Sequence, residues 1–359
     1  MALNATNAPL MYAPPPMVDP TIIDLSTTGS QNYWSFSNSQ DVIFVNSAGT
    51  TLSTSKVQVQ GGHNIEMLGL DIATQPGATG AIALYGLTGT AFVDGVHIDN
   101  AKASGTDGID IAGGNNGAGV SLVVQNTNID NVNGAKDGGQ ASDSNGHADG
   151  IQMQGSVGGE IDLYNVDVST NYQGIFISPQ YSTEPSAAHL TNVSLSYTGP
   201  ADNKGNVHSY LLWTLDGGGE KAYPFTFDSV YVQPRDGQQA VEDAVWPKAE
   251  GGAVQNGDQI SWPSLPYTGA VTVGSHADFA DASKIGVHFT DAQALIAAST
   301  GAASVATAGA APTAAPAAAS ANIDGLLSHI LQGGAPAAQP APAQPDATQL
   351  IHQIIDHWN

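Results

Sequence analysis

The sequence contains no cysteine and very few basic residues. Because the protein has no thiols, it cannot contain disulfide bonds, thiolate zinc sites or cysteine nucleophiles. Only 8 lysines and arginines stand against 32 aspartates and glutamates, which gives a formal net charge of −24. So few cations cannot neutralise a run of phosphates. We therefore expect neither a nucleic-acid partner nor binding to an anionic membrane surface.

Long apolar runs and a secretory leader are also missing from the sequence. No apolar run approaches the roughly 18 residues that a membrane-spanning helix needs. The first residues lack the basic and apolar regions of a secretory signal, so we expect export to use another signal. The acidic charge favours solubility and the uptake of divalent cations.

A four-residue pattern recurs six times along the middle of the chain. Each copy has a turn residue followed by an apolar, a polar and an apolar residue, with Thr127 as the one exception. The copies start roughly 26 to 39 residues apart, within the spacing that is typical of repeat architectures. Their first residues are Gly69, Gly95, Asn126, Asn165, Asn192 and Ser229. The alternation predicts strands with inward apolar side chains, and the turn residues suit left-handed backbone geometry.

A second set of strands is predicted between these copies. Its members are residues 81–84, 108–111, 150–153, 174–177 and 209–212. Two or three short strands per repeat, with no helical period between them, predict an all-β fold that is a parallel β-helix. The alternative is an antiparallel β-sandwich, which gives no reason for a turn residue to recur in phase.

The two ends of the chain differ in composition from the repeats. Residues 1–40 carry a proline-rich segment and are expected to form an N-terminal arm or cap over the first repeat. Residues 41–298 are expected to hold the β-helix and its C-terminal cap. An Ala/Pro-rich flexible linker follows over residues 299–345, with a short helix near 322–332. Residues 346–359 predict a short amphipathic helix that docks an export apparatus or another partner protein.

The most informative segment is residues 145–152, Asn-Gly-His-Ala-Asp-Gly-Ile-Gln. Aligning the repeats on the glycine before the second strand gives two columns of side chains. The column before the glycine contains Asp107, Asp149 and Gln173, and His208 joins it if Ser209 takes the glycine position. The outward column contains Asp110, Gln152 and Phe176. Neighbouring strands lie about 4.8 Å apart. One outward patch is therefore expected from Asp107, Asp110, Asp149, Gln152 and His147.

Carboxylates stacked at this spacing repel one another. Either one of them has a raised pKa, which suits acid–base catalysis, or a cation lies between them. The candidate catalytic residues are His147, Asp149, Gln152, Asp110 and Lys136. The candidate ligands of a Ca²⁺ ion are Asp107, Asp149 and Gln173. Asp-Gly pairs are also ordinary turn chemistry, so a purely structural calcium site stays open.

Two motifs resemble bacterial right-handed parallel β-helix proteins of the pectate-lyase-like superfamily. They are residues 147–152, His-Ala-Asp-Gly-Ile-Gln, and residues 172–177, Tyr-Gln-Gly-Ile-Phe-Ile. The resemblance covers about residues 41–290 and includes alginate epimerases and lyases and extracellular proteins exported with a C-terminal signal. It implies a right-handed β-helix and an extracellular location. The Gly-His-Gly pattern of polygalacturonases, the arginine-centred signature of pectate lyases and the Asp-Pro-His-Glu element of mannuronan epimerases are absent, so no substrate is specified.

These observations predict an extracellular protein that binds and modifies a polysaccharide. A lyase or epimerase would use His147 or Lys136 as the base, with Asp149 and Asp107 neutralising a uronate carboxylate through Ca²⁺. A glycoside hydrolase would use Asp149 and Asp110 as its acid–base pair. The alternative is a non-catalytic surface, adhesion or matrix protein with a calcium-stabilised solenoid.

Overall fold

Strands make up nearly all of the regular structure of the protein. The computed structural model describes residues 11–77, 80–113, 119–134, 147–154, 158–178, 185–199, 210–215 and 222–276. The helical elements of this part of the chain are the α-helix α1 (Ala240–Asp243) and two 3₁₀ turns, Leu25–Thr27 and Ala249–Gly251. None of the described helices has the length and apolar character needed to cross a bilayer. Lys136 and the predicted linker and helices of residues 299–359 lie outside the described residues.

The strands are numbered in chain order. They are β1 (Thr21–Asp24), β2 (Tyr33–Ser35), β3 (Val42–Val45), β4 (Leu52–Thr54), β5 (Val57–Gln60), β6 (Ile65–Leu68), β7 (Asp71–Thr74), β8 (Gly80–Leu87), β9 (Thr90–Asp94), β10 (His97–Asp99), β11 (Asp107–Gly113), β12 (Ser121–Val132), β13 (Asp149–Gln154), β14 (Glu160–Thr170), β15 (Gln173–Ser178), β16 (Ala187–Tyr197), β17 (Leu212–Trp213), β18 (Phe225–Gln233), β19 (Val245–Trp246), β20 (Val254–Asn256), β21 (Gln259–Ser261) and β22 (Tyr267–Val273). The prediction of an all-β fold is confirmed.

Eight of these strands form one parallel sheet, the eight-stranded sheet. Its order is β2-β5-β8-β11-β13-β15-β17-β19, and each neighbouring pair is parallel. Ile109 stands opposite Ile82 and Ile151, and all three side chains are fully buried. Because alternate side chains of a strand point to opposite faces, the residue after each isoleucine lies on the outer face.

The other strands belong to a fourteen-stranded sheet. Two rows of parallel strands, β1-β3-β6-β9 and β4-β7-β10, join in the long strand β12. The first half of β12 pairs with β9 and its second half pairs with β10. The parallel order then continues through β14, β16, β18 and β22, and β21 runs antiparallel to β20 and β22.

One turn residue separates the two halves of each long strand. Asn126, Asn165, Asn192 and Ser229 have φ angles of 51°, 53°, 54° and 57°. Gly69 and Gly95 take the same place between the shorter strands, with φ angles of 61° and 65°. These are the six turn residues of the repeat, and the prediction of left-handed backbone geometry is confirmed.

The asparagines among these turn residues form a chain of hydrogen bonds, which we call the asparagine ladder. Asn192 Nδ2 donates to Asn165 Oδ1 at 3.1 Å, and Asn165 Nδ2 donates to Asn126 Oδ1 at 2.9 Å. Asn126 Nδ2 donates in turn to Asp94 Oδ1 at 2.9 Å. The ladder ties four successive repeats together at the bend.

From β1 to β19 the chain alternates between the two sheets, and each return adds the next strand of the sheet that it enters. The main hydrophobic core contains side chains of both sheets. The apolar positions of the repeated pattern belong to it, since Val166, Val168, Val193 and Val230 are fully buried. The repeat therefore specifies the inward faces of the strands.

Residues 11–18, the described part of the predicted N-terminal arm before β1, lie over a second apolar cluster on the fourteen-stranded sheet. We call this segment the arm. Gln125 on β12 accepts hydrogen bonds from the N–H groups of Met11 and Tyr12 and donates one to the carbonyl of Tyr12. Met17 is buried in this cluster with side chains of β3, β6, β9 and β12. The arm therefore reaches beyond the first repeat, over which the sequence analysis placed it.

Candidate functional site

The predicted polar columns meet on the eight-stranded sheet, at strands β11 and β13. Asp110 stands opposite Gln152, and Gln152 stands opposite Phe176. Asp149 begins β13 and stands opposite Gln173, which begins β15. The sequence alignment on the glycines therefore predicted the register of these three strands correctly.

Asp107, His147 and Asp149 form the centre of the site, which we call the Asp–His–Asp group. Ligand-type atoms of the three side chains all lie within 4.8 Å of one another. Asp149 donates its backbone N–H to Asp107 Oδ1 at 2.7 Å, which fixes the two strands at this point. His147 Nε2 lies 3.8 Å from Asp149 Oδ2, and the imidazole side chain is 33% exposed. The group is therefore accessible through its histidine.

The glycines that follow the two aspartates allow the sheets to approach each other. A Cβ atom at Gly150 would lie 2.3 Å from Val168 Cγ1, and one at Gly108 would lie 2.5 Å from Ile129 Cγ2. Real Cβ atoms do not come so close to other carbons, because interiors are already close-packed. The Asp-Gly pairs are thus a packing requirement of this fold as well as a way of presenting a carboxyl group.

Burial raises the pKa values of Asp107, Asp110 and Asp149, and repulsion by neighbouring carboxyl groups adds to the rise at Asp107 and Asp149. Burial, followed by the charges of Asp149 and Asp110, raises the pKa of Asp107 well above its ordinary value. Burial raises the pKa of Asp110 to about 6, although the Tyr85 hydroxyl donates to its Oδ2 and His147 lies nearby. Burial also raises the pKa of Asp149 to about 6, against the opposing effect of His147.

Among the described residues, these three carboxyl groups have no lysine or arginine within salt-bridge distance. In this part of the chain, both carboxylate oxygens of Asp149 and the Oε1 atom of Gln152 are also buried without a hydrogen-bond partner. Buried polar atoms in native proteins are nearly always paired. The cluster therefore has acceptor atoms that call for a proton, a cation or a ligand.

Aromatic side chains continue the outward column beyond Gln152. Phe176, Trp213 and Trp246 stand opposite one another on β15, β17 and β19, and we call them the aromatic row. The ring centroids are 5.0 Å apart between the first two and 5.5 Å apart between the tryptophans. Tyr210 packs against both tryptophans at 5.3 and 5.2 Å. Both tryptophans are half-buried, so part of each ring faces solvent.

The carboxyl groups of Asp107, Asp110 and Asp149, which we call the acidic cluster, are continuous with the aromatic row. The ring of His147 meets the edges of Tyr172 and Phe176 at centroid distances of 5.5 and 6.5 Å. Burial, with a contribution from Asp149, raises the pKa of Tyr172 to about 12, so its hydroxyl stays protonated. The buried carboxyl groups, the partly exposed imidazole and the aromatic rings are thus contiguous, although Asp110, Gln152 and Phe176 are only 7%, 9% and 4% exposed.

The structure corrects the sequence analysis at one strand of this surface. The strand was assigned to residues 209–212, which puts Leu211 in the outward position. Strand β17 is Leu212–Trp213, and Leu212 pairs with Ile175, so the assignment was wrong by two residues. A shift of two residues preserves the alternation, and the pattern therefore could not detect it. His208 lies outside the described residues.

The predicted site residues fall into two groups in the structure. The structure brings one group together on strands β11, β13 and β15 and in the residues just before β13. Its members are Asp107, Asp110, His147, Asp149, Gln152 and Gln173. Lys136 lies outside the described residues. The sequence analysis missed Tyr85 and the two tryptophans of the row. The sequence did contain a signal for Tyr85. Alternation along β8 puts Tyr85 on the same face as Ala83, and Ala83 stands opposite Asp110.

Comparison of the chain with protein-family models, with curated proteins and with solved structures found no match. A functional assignment therefore depends on the residues of this site and their geometry.

Proposed function

We propose that the two sheets are faces of a right-handed parallel β-helix, and that the protein binds and cleaves a polysaccharide along the outer face of the eight-stranded sheet. The fold is supported by the parallel strand order, by the regular alternation of the chain between the sheets, and by the left-handed turn residue in each repeat. A stack of this kind presents one long, straight column of side chains per strand position.

The observation that carries the functional proposal is one such column. It contains, from β11 to β19, Asp110, Gln152, Phe176, Trp213 and Trp246. At the usual strand spacing the column is roughly 19 Å long, which accommodates several sugar rings. Aromatic rings pack against the C–H faces of sugars, and carboxyl and amide groups bind the hydroxyls.

The reaction that we assign to this face is hydrolysis of a glycosidic bond. Such a reaction needs one carboxyl group that protonates the leaving oxygen and a second group that activates water or attacks the sugar. Asp110 is the proton donor, because it lies in the column and burial raises its pKa to about 6. Asp149 on the adjacent strand is the second group, since its oxygens have no hydrogen-bond partner in the described part of the chain.

Elimination from a uronate glycan is the second candidate reaction. The position of His147 favours it, because a one-third exposed imidazole beside Asp149 can take the proton next to the uronate carboxylate. The substrate charge would then lie beside three carboxyl groups that have no lysine or arginine partner among the described residues. Elimination therefore requires a bound cation, whereas hydrolysis of a neutral glycan does not.

A polysaccharide panel distinguishes the two reactions. Full-length protein is incubated with neutral and acidic polysaccharides, and new reducing ends and the ultraviolet absorbance of unsaturated uronates are both recorded. We expect reducing ends without this absorbance, and a loss of at least about a hundredfold in Asp110→Asn. Asp258→Asn is the matched control, because Asp258 is exposed between β20 and β21, and it should keep full activity.

Absorbance that depends on an added cation would replace hydrolysis by elimination. No product in either measurement, from protein that is folded by circular dichroism, would overturn the catalytic proposal and favour the non-catalytic surface or matrix protein. Full activity in Asp110→Asn would remove Asp110 from the mechanism.

A further inference from the structure

The Asp–His–Asp group has the closeness and composition of a metal site. Asp107 begins β11, Asp149 begins β13, and the hydrogen bond from the backbone of Asp149 to Asp107 holds the two carboxyl groups side by side. His147 completes the group, and the rings of Tyr172 and Phe176 pack against its imidazole. The ligand atoms lie within 4.8 Å of one another, which a single ion can bridge.

The carboxylate of Asp149 is a second, independent indication of a ligand. The residue is fully buried, and neither of its oxygens has a hydrogen-bond partner in the described part of the chain. A buried carboxylate without compensation is costly, because burial removes its hydration. A nearby cation supplies what is missing, and the described residues offer no lysine or arginine to Asp107 or Asp149.

We infer that Asp107, His147 and Asp149 bind one Zn²⁺ ion. Zinc accepts imidazole nitrogen together with carboxylate oxygen, and a site with three protein ligands leaves its fourth position to water. Ca²⁺, which the sequence analysis expected, takes six to eight oxygen ligands and does not favour imidazole. The histidine is therefore the residue that selects zinc over calcium.

The inference also refines the role of Asp149, a step that depends on the proposed function. A zinc-bound water is a nucleophile near neutral pH. Asp149 then activates the water by holding the ion, while Asp110 remains the proton donor. Zinc binding itself is measured without any glycan, so the metal site and the proposed reaction can fail separately.

The test uses the full chain after treatment with a chelator and dialysis. Zn²⁺ and Ca²⁺ are titrated separately by calorimetry, and the melting temperature is recorded with each ion. We expect one zinc-binding event that disappears, or weakens at least tenfold, in His147→Ala and in Asp149→Asn. The matched control is His63→Ala, because His63 also contacts an aspartate, Asp41 at 2.9 Å, but lies between β5 and β6. It should keep the wild-type zinc affinity.

His147→Ala is the decisive variant, because it removes the partly exposed nitrogen ligand and keeps both carboxyl groups. Unchanged zinc affinity in this variant overturns the inference, as does a calcium affinity that exceeds the zinc affinity in the wild type. An equal loss of zinc in His63→Ala and His147→Ala also overturns it, since the binding would then be general to surface histidines. Zinc binding without cleavage of any glycan would keep the metal site and reject the proposed function.

Discussion

Glu66 is a buried carboxyl group without a basic partner in the described part of the chain. It lies on β6 between Ile43 and Phe92, two side chains of the apolar cluster that the N-terminal arm covers. Burial, with smaller contributions from Asp41 and Asp94, raises the pKa of Glu66 to about 8. The folded protein therefore keeps this group neutral at pH 7, where a glutamate of an unfolded chain is ionised.

This pKa predicts how stability depends on pH. The pKa of Glu66 is about 8 in the folded protein, against 4.5 for an ordinary glutamate, so the folded state binds more protons between these values. Its contribution to stability is complete below about pH 4.5 and is lost as the pH rises through 8. Glu66→Gln removes this loss, and we expect it to stabilise the protein by about 2 kcal/mol or more near pH 8.5. Urea unfolding near pH 5 and pH 8.5 measures the change.

The control for this prediction is Glu250→Gln, because the Glu250 side chain is 84% exposed. It should leave the pH dependence of the wild type unchanged. If Glu66→Gln and the wild type lose stability in parallel between the two pH values, Glu66 is not the group that titrates.

At the scale of single elements, β11 and β13 were predictable and β17 was not. Both predictable strands begin with Asp-Gly, so aligning the glycines gave the neighbours Asp110 and Gln152 that the register contains. Strand β17 has two residues and follows an insertion, and alternation alone cannot set its phase. Sequence periodicity thus located the acidic half of the site and Phe176, and left the two tryptophans of the aromatic row unassigned.

The asparagine ladder is the element-scale feature with the clearest energetic consequence. Asn165 combines two roles, since its φ angle is 53° and its side chain bonds to both Asn126 and Asn192. Asn165→Ala removes both bonds and strains the backbone, and we expect a loss of about 2–4 kcal/mol in unfolding free energy. Asn165→Gly keeps the left-handed geometry and loses only the bonds. Thermal and urea unfolding should therefore rank the stabilities as wild type, then Asn165→Gly, then Asn165→Ala.

The order of these two variants separates the ladder from the backbone effect. If Asn165→Gly is as stable as the wild type, the side-chain bonds contribute nothing and only the left-handed conformation matters. If the glycine and alanine variants are equally destabilised, the φ angle carries no cost at this position.

At the scale of the whole molecule, the repeat made the parallel sheets predictable but did not reveal the arm. A turn residue that recurs in phase with alternating apolar residues identifies equivalent strands along the chain. The N-terminal arm has no such period, and its hydrogen bonds to Gln125 join residues up to 114 positions apart. Contacts of this kind depend on the folded surface of the sheet, which no local pattern describes.

The aromatic row gives the eight-stranded sheet a polarity. The acidic cluster lies on β11 and β13, and the aromatic row extends from it only toward β19. Tyr33 on β2 lies at the other end of the same column, in register with Gln58, Ala83 and Asp110, and it is 47% exposed. The proposed function therefore predicts that a glycan lies between the acidic cluster and β19.

Removing one aromatic side chain at each end of the sheet tests this polarity. In an Asp110→Asn background that prevents turnover, Trp213→Ala should weaken binding of the glycan about tenfold, because one stacked ring contributes about 1 kcal/mol or somewhat more. Tyr33→Ala removes an aromatic ring on the opposite side of the acidic cluster and should leave the affinity unchanged. Calorimetry with an oligosaccharide of the cleaved polymer measures both. No loss in Trp213→Ala would mean that the aromatic row is not the glycan-binding surface, and the proposed function would lose the observation that carries it. Equal losses in the two variants would mean that the glycan also extends over β2, which contradicts the polarity.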